Sequence, residues 1–389
     1  MRLKRTCGSI PCFRLAAGLA LASGVLALLP VTALAEEKKS IEERLLEDMQ
    51  DKQVKTWKEF LEKHSGTCIG KKELILQPEV HEIGNKKYRY SGYRIDVLSE
   101  SLDKDHRAIL GVMAATKNFL PETRENIKAL AEKFKAAKVD AILVVGDLAY
   151  VGKEIEDILM FLADHAGDIP ILVVIGNAES RGPYGRALRN AGKKKVNIIN
   201  LNIVRLFNGD DFSLVSLPGY YDRRFVQGRG SCVYRKQQVR GLGEFVKEAK
   251  GPVVLVSHGP PRTNLGKKGI DATPDGKNVG DPEMTRIIKK LKIDFGTFSH
   301  ILEAGGKGVS LARNRAVRPG RWSNDLFVNA GAVNALDWNM NGGWTSQGMG
   351  MIVTIDKDGR SHKGHVYKAK FELIKLKRKE IDYDDEDDY

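Results

Sequence analysis

The sequence is notable first for what it is short of. It has four cysteines in 389 residues, and Cys7 and Cys12 fall within the first 35. A small domain stapled by several disulfides is therefore excluded. Only Cys68 and Cys232 remain in the body of the chain. They can form one disulfide closing a very long loop or stand as two separate thiols, since spacing along the chain does not set their distance. Beyond the first 35 residues no apolar run is long enough to cross a bilayer, which takes about 20 residues. Aromatic residues amount to 7%, and no nucleic-acid platform is signalled. No internal repeat is evident. The sequence has no G-x-x-x-x-G-K-[ST], no H-E-x-x-H and no G-x-S-x-G. Ser257 and His258 cannot work as a nucleophile–base pair, because neighbouring strand residues face opposite sides. His362 and His365 in "SHKGH" read as surface residues.

What is present begins with a leader. Arg2, Lys4, Arg5 and Arg14 precede the apolar run "LAAGLALASGVLALLPV", and Ala33-Leu34-Ala35 gives a small-x-small pattern before Glu36. This pattern predicts a signal peptide over 1–35 and export to the periplasm or the extracellular space, with no membrane span left after cleavage. The net charge of +13 falls to +9 without the four leader cations, while the last ten residues, "EIDYDDEDDY", hold seven acids. The body is thus basic, which suits a phosphorylated or otherwise anionic ligand, or plain solubility.

Four segments are expected: the signal peptide 1–35, a helix-and-hairpin extension over 36–106, an α/β domain over 107–371 and a charged tail over 372–389. In the extension, Ile41, Leu45, Met49, Trp57, Phe60 and Leu61 share a helical stripe over 40–64, with a capping box at Ser40 and Glu43. Two strand-like segments follow, joined around Gly84-Asn85. This extension is expected to pack on the next domain, with docking of a protein partner as the alternative. From residue 107, strands such as "AILGVMAA", "AILVVGD" and "ILVVIGN" alternate with amphipathic helices, and later strands crowd together. That order predicts layers of helices on mixed sheets. The polar loop 259–282 is long enough for a mobile flap.

Several apolar strands end in a donor side chain: "VVGD" in Asp147, "VVIGN" in Asn177, "VVLVSH" in His258 and "GTFSH" in His300. Ligands of open α/β sheets gather at the carboxyl ends of strands. One carboxylate, one amide oxygen and two imidazoles suit a single divalent ion, Mn, Fe or Zn.

At these residues the chain resembles the calcineurin-like metallophosphoesterases. Their motifs D-x-H, G-D-x-x-D, G-N-H-[DE], a lone His and G-H-x-H correspond in order to "AATK", "GDLAY", "GNAE", "SHGP" and "SHILEAGG", followed by "VNAGAV". The resemblance covers about 107–357. It implies a four-layer α/β/β/α sandwich with two mixed sheets, here with the N-terminal helix and β extension added. It also implies that Asp147, Asn177, His258 and His300 are the protein ligands of the family's second metal. The first metal site departs from the family: Ala115 and Lys117 replace D-x-H, Leu302 replaces the last His of G-H-x-H, and Tyr150 replaces the final acid of G-D-x-x-D. Ala178 stands where relatives carry the histidine that protonates the leaving group. One metal site is therefore expected to be lost and the other kept. Lys117 and Arg181 are candidate phosphate contacts, each with the alternative of pointing to solvent. The resemblance then implies a single-metal hydrolase of phosphoester bonds with weakened catalysis, or an inactive relative that binds an anionic ligand or a protein.

Overall fold

The computed structural model describes residues 54–103, 105–228, 230–357 and 367–377. The leader, the Ser40–Glu43 capping box, the first part of the predicted 40–64 helix, His362, His365 and the acidic tail lie outside the described residues.

Helix α1 (Trp57–His64) begins on a capping box: the Thr56 hydroxyl accepts from the Glu59 N–H, and the Glu59 carboxylate accepts from the Thr56 N–H. Its apolar stripe of Trp57, Phe60 and Leu61 is buried. The predicted hairpin is formed by β1 (Ile75–Ile83) and β2 (Lys86–Gly92), turning at Gly84 with φ +61°, and β3 (Arg94–Val97) follows. Strands and helices then alternate: β4 (Arg107–Met113), α2 (Pro121–Ala136), β5 (Ala141–Val145), α3 (Gly152–Ala166), β6 (Ile171–Val174), α4 (Arg181–Lys194) and β7 (Ile198–Asn200). The second half runs through β8 (Leu206–Asn208), β9 (Ser213–Leu217), α5 (Lys236–Val246), β10 (Val253–Ser257), α6 (Pro282–Leu291) and β11 (Phe295–Phe298). It closes with the strand-rich stretch β12 (Lys307–Ser310), β13 (Arg315–Val317), β14 (Leu326–Asn329), the short pair β15 (Trp338–Asn339) and β16 (Thr345–Ser346), β17 (Met349–Lys357) and β18 (Tyr367–Lys375). No helix among the described residues is long and apolar enough to cross a membrane.

These strands make a six-stranded sheet, β18-β17-β4-β5-β6-β7, and a ten-stranded sheet, β1-β2-β3-β8-β9-β10-β11-β14-β12-β13. Both are mixed: β4 to β7 are parallel with β17 antiparallel to β4, and β9, β10, β11 and β14 are parallel with β8 and β12 antiparallel.

The layering follows from the side-chain period of two. Leu143, Val145, Leu172 and Val174 of the smaller sheet meet Leu214, Val254, Val256 and Val328 of the larger one in a single core between the sheets. The alternate residues Ile142, Val144, Ile171 and Val173 face outward onto Ile127, Leu130, Ile158 and Leu188 of α2, α3 and α4. On the far side, Val215, Leu255 and Phe327 pack against Val239, Leu242, Ile287 and Ile288 of α5 and α6. A strand buried on both faces must be apolar throughout, which is why "AILVV" shows no alternation. The architecture is the expected four-layer α/β/β/α sandwich.

The N-terminal segment is built into this sandwich. β3 pairs in parallel with β8, Arg94 opposite Leu206, so β1, β2 and β3 form one edge of the ten-stranded sheet. Trp57 packs edge-on against Tyr90 at 4.8 Å and donates its backbone N–H to Glu79. The buried Arg205 guanidinium donates to the carbonyls of Ser216 and Gly70 and so ties β8 and β9 to the segment after α1. Cys68 and Cys232 form a disulfide with Cα atoms 5.3 Å apart.

Loop 259–282 is cross-linked from within. The fully buried Asp271 carboxylate accepts from the backbone N–H groups of Thr263 and Gly280 and from Asn278 Nδ2. One carboxylate inside the loop thus supplies the cross-links that its composition does not reveal.

Candidate functional site

The turns after β4, β5, β6, β10 and β11 meet at one edge of the two sheets. Asp147 follows β5 and Gly146, Asn177 follows β6 and Gly176, His258 follows β10, and His300 follows β11. Gly146 and Gly176 are glycines because the two turns touch. A Cβ on Gly146 would lie 2.6 Å from Gly176 N, and one on Gly176 would lie 2.3 Å from Asp147 Oδ1. Ala115, Lys117, Asp147 and His300 all take left-handed backbone conformations, with φ of +52° to +61°. Each costs of order 1 kcal/mol for a residue with a side chain, and such strain gathers at built sites.

Orientation is fixed from outside the cluster. His258 Nδ1 lies 2.7 Å from the Val145 carbonyl, which only accepts, so Nδ1 carries the hydrogen. In the neutral ring Nε2 is then a bare lone pair, 2.8 Å from Asn177 Oδ1 and 3.3 Å from Asp147 Oδ1. The Asn177 amide cannot turn to help, because its Nδ2 donates to the Phe225 carbonyl at 2.5 Å. His300 Nδ1 approaches the same Asn177 Oδ1 at 2.8 Å. At His258 Nε2 an acceptor therefore faces acceptors. That arrangement is satisfied by a proton on His258 or by a cation among the donors. Ligands about 2.0–2.2 Å from an ion lie roughly 3 Å from their neighbours, which matches these separations.

Pairwise, His258 with Asn177 and Asp147, and His300 with Asn177, thus stand at the spacing of ligands to one small divalent cation. Among the described residues the group of three His, Cys, Asp or Glu donor atoms lying within 4.8 Å of one another is Asp103, Asp210 and Asp211. Asp147, His258 and His300 do not all come within that range. Gathering all four residues around one ion therefore needs an inward shift of the Asp147 carboxylate or the His300 ring.

Lys117 occupies the other side of Asp147. Its ammonium is ion-paired with Asp147 Oδ2, while Oδ1 accepts the N–H groups of Asn177 and Ala178, each at 3.0 Å. Burial alone would raise the Asp147 carboxyl, but the facing charges of His258 and Lys117 hold it well below the usual carboxylate range. Burial lowers the Lys117 ammonium, and Asp147 outweighs this and raises it. His258 is likewise lowered by burial and raised overall by Asp147. Burial, followed by repulsion from His258, pushes His300 down to about 3, so its ring is neutral. The lysine thus does not point to solvent. Arg181 does: it opens α4, is exposed, and joins none of the cluster's hydrogen bonds.

The cluster is closed. Asp147, Asn177, His258, Ala115 and Ala178 are at most 3% exposed, and Leu302 is buried. Lys117 and His300 are only partly covered. A cavity of about 600 Å³ between the starts of α5 and α6 is lined by Tyr221, Tyr234 and Asp281 among others and by none of the four donors.

Three contributors escape a reading of the sequence. Glu179 is fully buried and accepts from the N–H groups of Leu148 at 2.6 Å and Gly176 at 3.0 Å, clamping the turns that carry Asp147 and Asn177. Burial and the charge of Asp147 raise its carboxyl to about 7. The acid at the end of "GNAE" is its only signal. Tyr220 packs at a tilt against His300 with ring centroids 3.9 Å apart, and Phe225 offers its carbonyl to Asn177. Both lie in the irregular segment after β9, where no periodicity marks them.

Comparison with known proteins gives a family and several distant structures. The family model for calcineurin-like phosphoesterases matches residues 118–304. No curated protein matches the chain. Solved structures that match include a dimetal phosphatase from Danio rerio, 10% identical, TM-score 0.41, covering 70% of this chain and 99% of that one. A purple acid phosphatase, PPD1, from yellow lupin (Lupinus luteus) seeds is 12% identical with TM-score 0.42, covering 75% of this chain and 59% of its own. GAP50, the anchor in the inner membrane complex of Plasmodium, is 12% identical with TM-score 0.43, covering 70% and 90%.

Proposed function

We propose, from the premise that this chain belongs to the calcineurin-like phosphoesterase family, that it is an exported member which keeps one cation position, has given up competent phosphoester turnover and acts by binding. The observation that carries this reading is the Lys117–Asp147 ion pair. A two-metal hydrolase relies on both ions to acidify a bridging water and neutralise phosphoryl oxygens. Here a protein ammonium supplies positive charge to the carboxylate of "GDLAY" without offering a Lewis-acid site. No imidazole stands at Ala178 to protonate a leaving group, a loss that alone costs about 10²–10⁴ in rate.

Asp147, Asn177, His258 and His300 would hold the remaining ion, Mn, Fe or Zn. Bound there, it would supply a Lewis acid and take the place of the proton on His258. The chain's own residues orient that position: Val145 and Phe225 fix His258 and Asn177 through their carbonyls, and Tyr220 covers His300. The ligand class that suits the basic body is phosphorylated or otherwise anionic.

One observation favours a second reading, a slow single-metal hydrolase: the His258, Asn177 and His300 donors still converge. The two are separated by metal analysis of the mature protein together with hydrolysis of p-nitrophenyl phosphate and an alkyl phosphate. The binding reading expects no more than one metal per chain and no turnover above the metal-free control. Fast hydrolysis of both esters would overturn it. Turnover confined to the activated ester, lost in His258→Ala, would establish the second reading.

A further inference from the structure

The cavity of about 600 Å³ between the starts of α5 and α6 holds none of the donor cluster and has a chemistry of its own. Val233, Pro282 and the rings of Tyr221 and Tyr234 give it an apolar wall, and Arg223, Arg235 and Lys236 give it charge. The apolar wall is fixed in place. The Tyr221 hydroxyl donates to the Val279 carbonyl at 2.6 Å, and the Tyr234 backbone N–H donates to Tyr220 O. The three cations are exposed, and none of them makes an ion pair among the described residues. The two acids of the lining are already engaged. Asp281 Oδ1 accepts the Glu283 N–H at 2.8 Å and caps α6, while Glu283 pairs with Arg240 and Arg286.

Two further features point to a ligand. The start of α5 lacks the usual compensation: its N-cap is Arg235, no side chain caps it, and its first turn holds no acid. The N–H groups of Lys236 and Gln237, at its first two positions, have no intrahelical acceptor and stand at the positive end of the helix. The second feature is Tyr234. It is 1% exposed, yet its hydroxyl has no hydrogen-bond partner among the described residues. A buried donor without an acceptor is costly, and an acceptor seated in the cavity that this ring lines would relieve it.

We propose that the cavity binds a small organic phosphate. Arg223, Arg235, Lys236 and the start of α5 hold its phosphate group, and the Tyr234 hydroxyl donates to a ligand oxygen. The body of the ligand, apolar or aromatic, lies against Tyr221, Val233 and Pro282. Three unpaired cations balance a phosphate dianion better than a single carboxylate, and arginine forks match its oxygens. The volume falls within the range of small-molecule pockets, about 300–1,000 Å³, and leaves room for much more than a bare phosphate. The use made of this ligand rests on the binding function proposed above, whereas the site itself needs no ion at Asp147.

The test is calorimetric titration of the purified protein in metal-free buffer with phenylphosphonate, a phosphate-ester analogue that cannot be hydrolysed. Inorganic phosphate and benzyl alcohol serve as its two halves. One phenylphosphonate is expected per chain, bound about tenfold more tightly than inorganic phosphate, with no saturable binding of benzyl alcohol. R235Q combined with K236Q should weaken phenylphosphonate by about tenfold, and both side chains are exposed, so the fold should be kept. Tyr234→Phe should weaken it several-fold without lowering the melting temperature of the ligand-free protein, since the hydroxyl removed has no partner. His258→Ala alters the donor cluster and should leave the affinity unchanged. The same affinities are expected whether or not the protein hydrolyses phosphate esters, so the site and the function proposed above can fail separately. No binding up to millimolar phenylphosphonate would overturn the assignment. So would equal affinity for phenylphosphonate and inorganic phosphate. Binding lost in His258→Ala but kept in the Arg235 and Lys236 variant would place the anion at the donor cluster, and would overturn it as well.

Discussion

The β10–β11 side of the strand-end edge and its β4 side stand next to each other and have been treated in opposite ways. On the first, His258 and His300 still approach Asn177 Oδ1 at 2.8 Å, each held by contacts from outside the cluster. On the second, Ala115 is a buried apolar residue, and Lys117 closes on Asp147. On the proposed reading, the difference teaches how a metal position could be lost without unfolding the protein. A buried carboxylate that loses a cation must gain another, or it carries an uncompensated charge costing several kcal/mol. Lys117 meets that need from the turn after β4. The three donors on the opposite side need no such repair, because a proton on His258 can take the ion's place.

The largest effect should come from the covalent link that braces the intact side. The disulfide joins Cys68 to Cys232, and Cys232 O accepts the N–H of Tyr220, whose ring packs against His300. Closing a loop with a sequence separation of 164 stabilises by about 5 kcal/mol in the chain-entropy view. Cys68→Ser with Cys232→Ser should lose most of that in chemical denaturation. If instead the midpoint barely moves, the brace is not needed to keep Tyr220 over His300.

Lys117→Met comes next. It strips the cation from buried Asp147 and should destabilise by about 3 kcal/mol, read as a lowered melting temperature. Added Mn²⁺ or Zn²⁺ should restore more stability to this variant than to the natural chain. Equal response in both would mean that Lys117 does not stand in for an ion.

A pH-dependent effect belongs to His300. Its folded value of about 3 lies below the unfolded imidazole, so the unfolded chain takes up the proton first. Stability is therefore lost as pH falls from about 6.5 toward 3, at up to about 1.4 kcal/mol per pH unit. His300→Gln should flatten that limb in urea melts taken between pH 7 and pH 4. An unchanged slope would place the acid sensitivity elsewhere.

The smallest expected change is from Ala178→His alone. With Lys117 still on Asp147, hydrolysis of an alkyl phosphate should remain at background in a direct phosphate-release assay. A clear gain would show that only the acid was missing and that the β4 side is less disabled than its geometry indicates.

Much of this comparison is legible in the sequence. The strands of the sandwich are apolar throughout because both faces are covered, and Asp147, Asn177, His258 and His300 stand out as polar residues at the ends of such strands. For Lys117 the sequence leaves two options, a place near Asp147 or one in solvent, and distance decides between them. What stays hidden depends on pairings between distant parts of the chain. Glu179 acts through backbone N–H groups that no pattern displays. Tyr220 and Phe225 lie where the chain has no period. Arg205 breaks the expectation that arginine is exposed, and its partners, Ser216 and Gly70, are set by the tertiary fold. The placement of β1 to β3 on the ten-stranded sheet is out of reach for the same reason, since β3 finds its neighbour at β8.

That last pairing has a consequence for how the protein is made. A ribosome delivers the chain from its N-terminus, so the hairpin of β1 and β2 emerges well before Leu206, the residue that Arg94 must face. At roughly 5–20 residues per second the wait is on the order of ten seconds. During it the inner side of β3 is an unpaired strand edge, open to mispairing with a neighbouring nascent chain. The outer strand is better protected: β1 carries Pro78, which cannot donate to another strand, with Glu79 and Glu82 close behind. The vulnerable surface during synthesis is thus the inner edge of β3, and a helper that shields extended chains would act there first.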